Sequence, residues 1–271
     1  MNQTEPRPLR PQVQAVVADL TTYLKALDTG RYAITLGGSQ GKGTWDERSD
    51  VDLRLFHEKD VPWRDTHPEL WADYFAAIAR WEEQGAVIDG IWPRTIAETE
   101  AALARWLAGD ARPEDLVWTV WGYHLPPDLY HMAIVEDPYG IVADWKRRLA
   151  VYPPALKAAL LDRHTAVLRY WRTDYHYRNK VARRDAVFLA GLTSKLVHHL
   201  LQVLFALNET YYVGDGQNLD FARRLALQPP DLAARVEAAL YPPPGADRYR
   251  AQYDALTALV DDVLALAGPL R

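Results

Sequence analysis

Leu36-Gly37-Gly38-Ser39-Gln40-Gly41-Lys42-Gly43-Thr44, followed by Ser49-Asp50-Val51-Asp52-Leu53, is the stretch on which the reading of this chain turns. It continues from Tyr32-Ala33-Ile34-Thr35-Leu36, whose alternation and β-rich composition predict a strand. Gly37 to Asp46 predicts a loop or helix start. Val51-Asp52-Leu53-Arg54-Leu55-Phe56, apolar at 51, 53 and 55, predicts a second strand. Two familiar phosphate loops are excluded. A P-loop needs Gly, four residues, then Gly-Lys-Ser/Thr, but Leu36 stands five residues before Gly41 and Gly43 follows Lys42. A dinucleotide fingerprint begun at Gly41 would need Gly or Ala where Asp46 stands.

The stretch has a chemistry of its own. Gly37 and Gly38 let the backbone approach an anion closely, and free N–H groups at a helix start favour phosphate oxygens. Ser39 adds a hydroxyl donor. Residues two apart in a strand face one side, so Asp50 and Asp52 are expected to point together above the turn. Paired carboxylates repel unless a cation neutralises them. Oxygen-only ligation suits Mg²⁺ or Mn²⁺, which bind one or two carboxylates together with substrate phosphates. Taken singly, Gly-Gly-Ser and Asp-x-Asp are common structural features; their spacing behind a strand carries the expectation of a metal–triphosphate site.

The pattern Gly38-Ser39-x-x-x-Gly43, then Ser49-Asp50-x-Asp52-Leu53, resembles the signature of the polymerase-β-like nucleotidyltransferase superfamily. The subset it resembles holds small-molecule enzymes of aminoglycoside and lincosamide type and their bacterial relatives. Arg183-Arg184-Asp185 and Leu204-Phe205-Ala206-Leu207-Asn208-Glu209-Thr210-Tyr211-Tyr212 are similar to the accessory helical bundle of those relatives. Where they often carry a lysine after the Asn-x-x-Tyr stretch, this chain has Asp215-Gly216-Gln217-Asn218.

The resemblance implies an α+β fold, a mixed-sheet palm followed by a helical bundle. It implies transfer of a nucleoside monophosphate from an NTP, ATP foremost, to a hydroxyl acceptor, with release of pyrophosphate. Mg²⁺ (or Mn²⁺) would sit at Asp50 and Asp52, with a third carboxylate on a neighbouring strand. Asp89, between Val87 and Ile91 in a predicted strand over 86–92, is the choice for that third ligand or base. A hairpin turn at Asp89-Gly90 is the alternative, and Glu98 and Glu100 are the fallback. Gly37, Gly38 and Ser39 would hold the departing phosphates and Lys42 would assist. From the helical half, Arg184 and Lys195 are the candidates to clamp the triphosphate.

Composition narrows the setting. The chain has 271 residues, a net charge of −5 and 49% hydrophobic residues, which excludes a disordered chain. With no cysteine, disulfides, thiolate chemistry and Cys-ligated metals are excluded. The mild acidity argues against a dedicated nucleic-acid binder. No membrane span is expected, since the apolar run around Leu196–Leu207 is interrupted by His198, His199 and Gln202. Met1–Gln14 has no apolar leader core, so a cytoplasmic location is the expectation.

Residues 5–12 predict an irregular proline-rich arm, and Val13–Leu27 an amphipathic helix. Further helices are expected near 68–84 and 96–108, then near 141–149, 154–175, 181–207, 218–226, 231–240 and 246–267. The division expected is therefore a catalytic domain over 1–140 and a helical accessory domain over 141–271. His198-His199 reads as structural, because neighbours on a helix point about 100° apart. Trp118–His124 reads as a strand or an aromatic wall, with packing favoured. The acceptor is expected to be a small molecule, with tRNA or protein as alternatives. A catalytically degenerate nucleotide-binding or antitoxin-like partner protein is the second reading.

Overall fold

The computed structural model describes residues 8–60, 62–214, 216–245 and 247–268. Residues 5–7 of the expected arm, Asp215, and the expected helix start at Ala246 lie outside the described residues. The chain begins α1 (Pro11–Lys25), β1 (Tyr32–Leu36), α2 (Gly38–Lys42), β2 (Val51–His57), α3 (Trp63–Thr66), α4 (Pro68–Glu82), β3 (Ile88–Thr95) and α5 (Ile96–Leu107). It continues with α6 (Leu125–His131), β4 (Ala133–Glu136), α7 (Ile141–Leu149), α8 (Pro154–Thr173) and α9 (Tyr175–Arg183). Last come α10 (Ala186–Leu207), α11 (Asn218–Ala222), α12 (Leu232–Leu240) and α13 (Arg248–Ala267). A mixed sheet followed by helices is the α+β order expected from the sequence.

The strands form one sheet in the order β3-β2-β1-β4. β1 is antiparallel to both β2 and β4, while β2 and β3 run parallel. The pleat sorts β2 by parity. Val51, Leu53 and Leu55, with Ile34 and Leu36 of β1, join the buried stripes of α1 and α4 in one apolar core. α1 contributes Val13, Val16, Val17, Leu20 and Leu24, the helical period read in the sequence, and Pro11 starts it where no N–H is needed. On the alternate positions lie Asp52, Arg54 and Phe56. Phe56 packs edge-on against Trp145 of α7, centroids 4.9 Å apart. Two charged residues thus occupy the sheet face next to a buried aromatic pair.

β4 and α7 are joined by Asp137, whose carboxylate accepts from the N–H groups of Ile141 at 2.7 Å and Ala143 at 2.9 Å. Those are orphan donors of the first turn of α7, so one side chain sets where that helix begins. Neither β4 nor α6 was anticipated. Four residues give alternation too little length to register, and α6 is short and carries Pro126 and Pro127 in its first turn.

The chain divides into two compact units, 1–104 with 128–151, and 105–127 with 152–271. The single boundary expected at 140 becomes three crossings. α7 stays with the sheet because Trp145 is buried beside Phe56. The segment 105–127 joins the helical unit through His124, whose ring lies 5.3 Å from that of Tyr212 and 3.2 Å from the Gln202 amide nitrogen.

In the second unit α10 packs against α8, α12 and α13. By length and composition α10 is apolar enough to cross a membrane, a reading the interrupting histidines had argued against; here it lies at the centre of the unit's core. Its two histidines part company as the helix period requires. His198 stacks on Trp121 at 4.5 Å, and His199 Nδ1 shares a hydrogen bond with His164 Nδ1 at 2.7 Å. Trp118 lies in a turn rather than a strand and is 61% exposed, so packing does not account for it.

Candidate functional site

β1 ends at Leu36, and Gly37 and Gly38 turn the chain into α2. Gly38 takes φ +56°, and a Cβ there would lie 2.8 Å from Asp52 Oδ2. A Cβ at Gly37 would meet the Arg54 guanidinium at 3.2 Å. The two glycines therefore make room for the charged side chains of β2 as well as leaving the turn bare. The Gly37 N–H donates to the Asp52 carbonyl at 2.8 Å, which ties the turn to the strand. Gly41 has another duty: a Cβ there would fall 3.0 Å from Met132 Cα, so it serves close packing.

Beside this turn, Thr35 Oγ1, Ser39 Oγ and both amide atoms of Gln40 are buried without a hydrogen-bond partner among the described residues. Thr35 sits directly opposite Arg54 in the β1–β2 register. An unsatisfied buried polar group costs roughly 1–3 kcal/mol. The hydroxyls and the amide N–H groups among them are donors of the kind that the oxygens of an anion satisfy.

Asp52 and Arg54 share one face of β2. Arg54 Nη2 donates to Asp52 Oδ2 at 2.8 Å and its Nη1 donates to Oδ1, a two-pronged pair. Arg54 Nε reaches Asp128 Oδ2 of α6 at 3.4 Å. The guanidinium lies 4.7 Å from the ring centre of Trp92, its register partner on β3. All three charged side chains are largely shut from solvent, 8% exposed for Arg54 and 13% for each aspartate. Burial raises the Asp52 carboxyl above its ordinary value; Arg54 opposes the shift, while the charges of Asp128 and Asp50 add to it.

Two cations, Arg54 and Lys146, act on Asp128. Lys146 of α7 donates to the carbonyls of Tyr130 at 2.6 Å and Met132 at 2.7 Å, and burial lowers its pKa against the pull of Asp128. His131 is pushed down to about 4, first by burial and then by the charges of Lys42 and Lys146. Lys42 is thus within electrostatic reach of the same region.

The residues expected from the sequence are distributed unevenly. Gly37, Gly38, Ser39 and Asp52 meet at one turn, and Asp50, just ahead of β2 and partly exposed, is felt electrostatically at Asp52. Asp89 is exposed on β3, where the register shifts between Val51↔Ile88 and Leu53↔Ile91, and Gly90 beside it takes φ +76°. Arg184 and Lys195 belong to the second unit and are exposed, Arg184 at the left-handed end of α9 and Lys195 on α10. Arg54, Asp128 and Lys146 were not singled out. For Arg54 the signal existed, since it follows Asp52 by two residues in a predicted strand. For Asp128, on a helix remote in sequence, there was none.

Among the described residues, no group of three or more His, Asp or Glu side chains is arranged to hold a metal ion. The donor chemistry of Asp50 and Asp52 fits a hard divalent cation. That fit requires Asp52 to be released by Arg54, which now engages both its oxygens.

Residues 17–105 match the family model of a nucleotidyltransferase domain, and residues 129–215 match that of a domain of unknown function (DUF4037). No curated protein matches the chain. Among solved structures, the crystal structure of a nucleotidyltransferase-like protein from Exiguobacterium sibiricum 255-15 is similar with a TM-score of 0.45 and 14% identity. That similarity covers 92% of this chain and 74% of the other.

Proposed function

We propose, for a chain whose residues 17–105 carry a nucleotidyltransferase domain of the polymerase-β-like superfamily, that the site at Gly38 and Asp52 transfers a nucleoside monophosphate. The donor is an NTP, with ATP first among them, and the acceptor is a hydroxyl on a small molecule. The observation that carries this reading is the buried, partnerless Ser39 hydroxyl at the bare Gly37-Gly38 turn, beside the Asp52 carboxylate.

In this reading Gly37, Gly38 and Ser39 bind the β- and γ-phosphates, and Lys42 adds positive charge. Mg²⁺ or Mn²⁺ held by Asp50 and Asp52 would supply charge neutralisation at the α-phosphate and the attacking oxygen. The acceptor oxygen forms a bond to the α-phosphorus, and the bond from that phosphorus to the bridging oxygen breaks. Its electron pair departs with pyrophosphate, and the hydroxyl proton passes to a carboxylate. Asp89, exposed on β3, is within the reading as that proton acceptor. Asp128 suits the completion of the charged centre, because its charge is felt at Asp52.

The test is incubation with NTPs labelled at the α-phosphate, Mg²⁺, and aminoglycoside, lincosamide, tRNA or the protein itself as acceptor. Label on a small molecule with stoichiometric pyrophosphate supports the reading; label on tRNA or protein redirects the acceptor. A second reading, a nucleotide-binding protein that no longer transfers, has one observation in its favour. Arg54 holds both oxygens of the carboxylate that transfer would need.

A further inference from the structure

The contacts of Arg54 point to a role for it that rests on the nucleotidyltransferase reading and goes beyond it. We propose that Arg54 is a positioning residue, a resident cation that holds Asp52 and Asp128 in the nucleotide-free protein. A divalent cation then gains Asp52 only in company with a triphosphate.

Three observations carry the argument. First, the guanidinium spends its two-pronged face on Asp52 and its Nε on Asp128, so one cation satisfies two buried carboxylates. Two such acids at one place repel each other unless a positive charge lies between them. Second, Arg54 is itself held: its side chain is 8% exposed, it rests on Trp92 at 4.7 Å, and the absence of a side chain at Gly37 gives it space. A surface arginine that happened to find an acid would have none of this enclosure. Third, the polar groups left without partners, Thr35 Oγ1, Ser39 Oγ and the Gln40 amide, lie on the neighbouring β1 and α2.

The physical consequence is an order of binding. A metal ion arriving alone must displace a charge-assisted pair in a poorly solvated place and leave a buried guanidinium short of its partner, which is costly. A triphosphate brings its own negative charge, to which a planar guanidinium binds as readily as to a carboxylate. With the phosphates as substitute partners for Arg54, Asp52 becomes available to the metal. The same contact that looks like degeneration of the site is then its nucleotide-free form.

The test uses Mn²⁺ alone, read by electron paramagnetic resonance of the free ion, on full-length wild type, Arg54→Met and Arg54→Lys. Arg54→Met is expected to bind Mn²⁺ at least about tenfold more tightly than wild type without nucleotide, since the Coulomb attraction of the guanidinium no longer competes for the carboxylates. Arg54→Lys, which keeps the charge but not the fork, is expected to fall between them. Equal Mn²⁺ affinity in wild type and a folded Arg54→Met overturns the proposal. If Arg54→Met does not fold, Arg54→Lys decides: tighter binding than wild type supports the proposal, and equal or weaker binding overturns it. A merely structural role for Arg54 would lower the melting temperature without tightening metal binding. Wild-type melting with ATP and Mg²⁺ separates the two failures. Stabilisation there with unchanged Mn²⁺ affinities sinks only the role of Arg54, whereas a melting temperature unmoved by ATP and by every other NTP sinks the nucleotidyltransferase reading itself.

Discussion

Arg54 Nη2 lies 2.8 Å from Asp52 Oδ2, and the two residues are neighbours on one face of β2. The pleat of a single strand therefore places the anion and the cation that define the site. The turn at Gly37 and Gly38 is shaped around both of them. Changes at the turn should consequently be read out at the carboxylate.

Gly38→Ala is expected to cost stability and to abolish nucleotide binding. An alanine at φ +56° is strained by roughly 1–2 kcal/mol, and its Cβ would press on Asp52 Oδ2. Gly85→Ala is the control, since Gly85 has φ +85° and nothing within 4 Å of an added Cβ. Urea unfolding should show a loss in both variants, the larger in Gly38→Ala because of the added contact with Asp52. Nucleotide-induced stabilisation should vanish only in Gly38→Ala.

Ser39→Ala should separate stability from binding in the opposite sense. The Ser39 hydroxyl is buried without a partner, so its removal should leave the ligand-free protein unchanged or more stable by up to about 1 kcal/mol. Losing a hydrogen bond to a charged phosphate should weaken NTP binding roughly tenfold or more. Titration calorimetry and urea unfolding on the same samples check both signs. A loss of stability with unchanged affinity would make Ser39 a structural residue.

Asp137→Ala tests how the sheet unit keeps α7. The carboxylate caps two N–H groups, and losing it should cost about 1–2 kcal/mol. Asp137→Asn should recover part of that. The helix carries Trp145 and Lys146, so amide exchange in α7 should accelerate before that in β1 or β2.

The second unit should be acid-labile through its buried histidines. His164 is pushed down to about 2, His198 to about 3 and His199 to about 4, in each case chiefly by burial. These folded values lie below the ordinary value of 6.5, so the unfolded chain takes up protons first as pH falls. Stability is therefore full above about pH 6.5 and declines below it, by up to about 1.4 kcal/mol per pH unit for each histidine. Urea midpoints at pH 7.5, 6 and 5 should fall steadily, and less steeply in His199→Gln. A flat profile in wild type would contradict the assignment.

The sequence made the sheet unit legible where periodicity was long and its partners were close. β1, β2 and the buried stripe of α1 follow from alternation and helical spacing, and the turn at Gly38 with Asp52 follows from their separation. What escaped was contact made by residues distant in sequence. Asp128 meets Arg54 across 74 positions, and no local pattern announces it. The unit boundary escaped for the same reason, because His124 is secured by Gln202, 78 positions away. Arg54 is legible in the sequence on the same ground as Asp52. The pairing rule that linked Asp50 with Asp52 applies with equal force to the next residue on that face.

The most direct test of the central claim is the thermal unfolding of wild type and Asp52→Asn with each NTP, with and without Mg²⁺. Wild type should gain melting temperature with an NTP and gain more with Mg²⁺ present, because a ligand bound only by the folded state must stabilise it. Asp52→Asn should keep its fold and lose the Mg²⁺-dependent gain. A wild type whose melting temperature is unmoved by every NTP in the presence of Mg²⁺ would contradict the account.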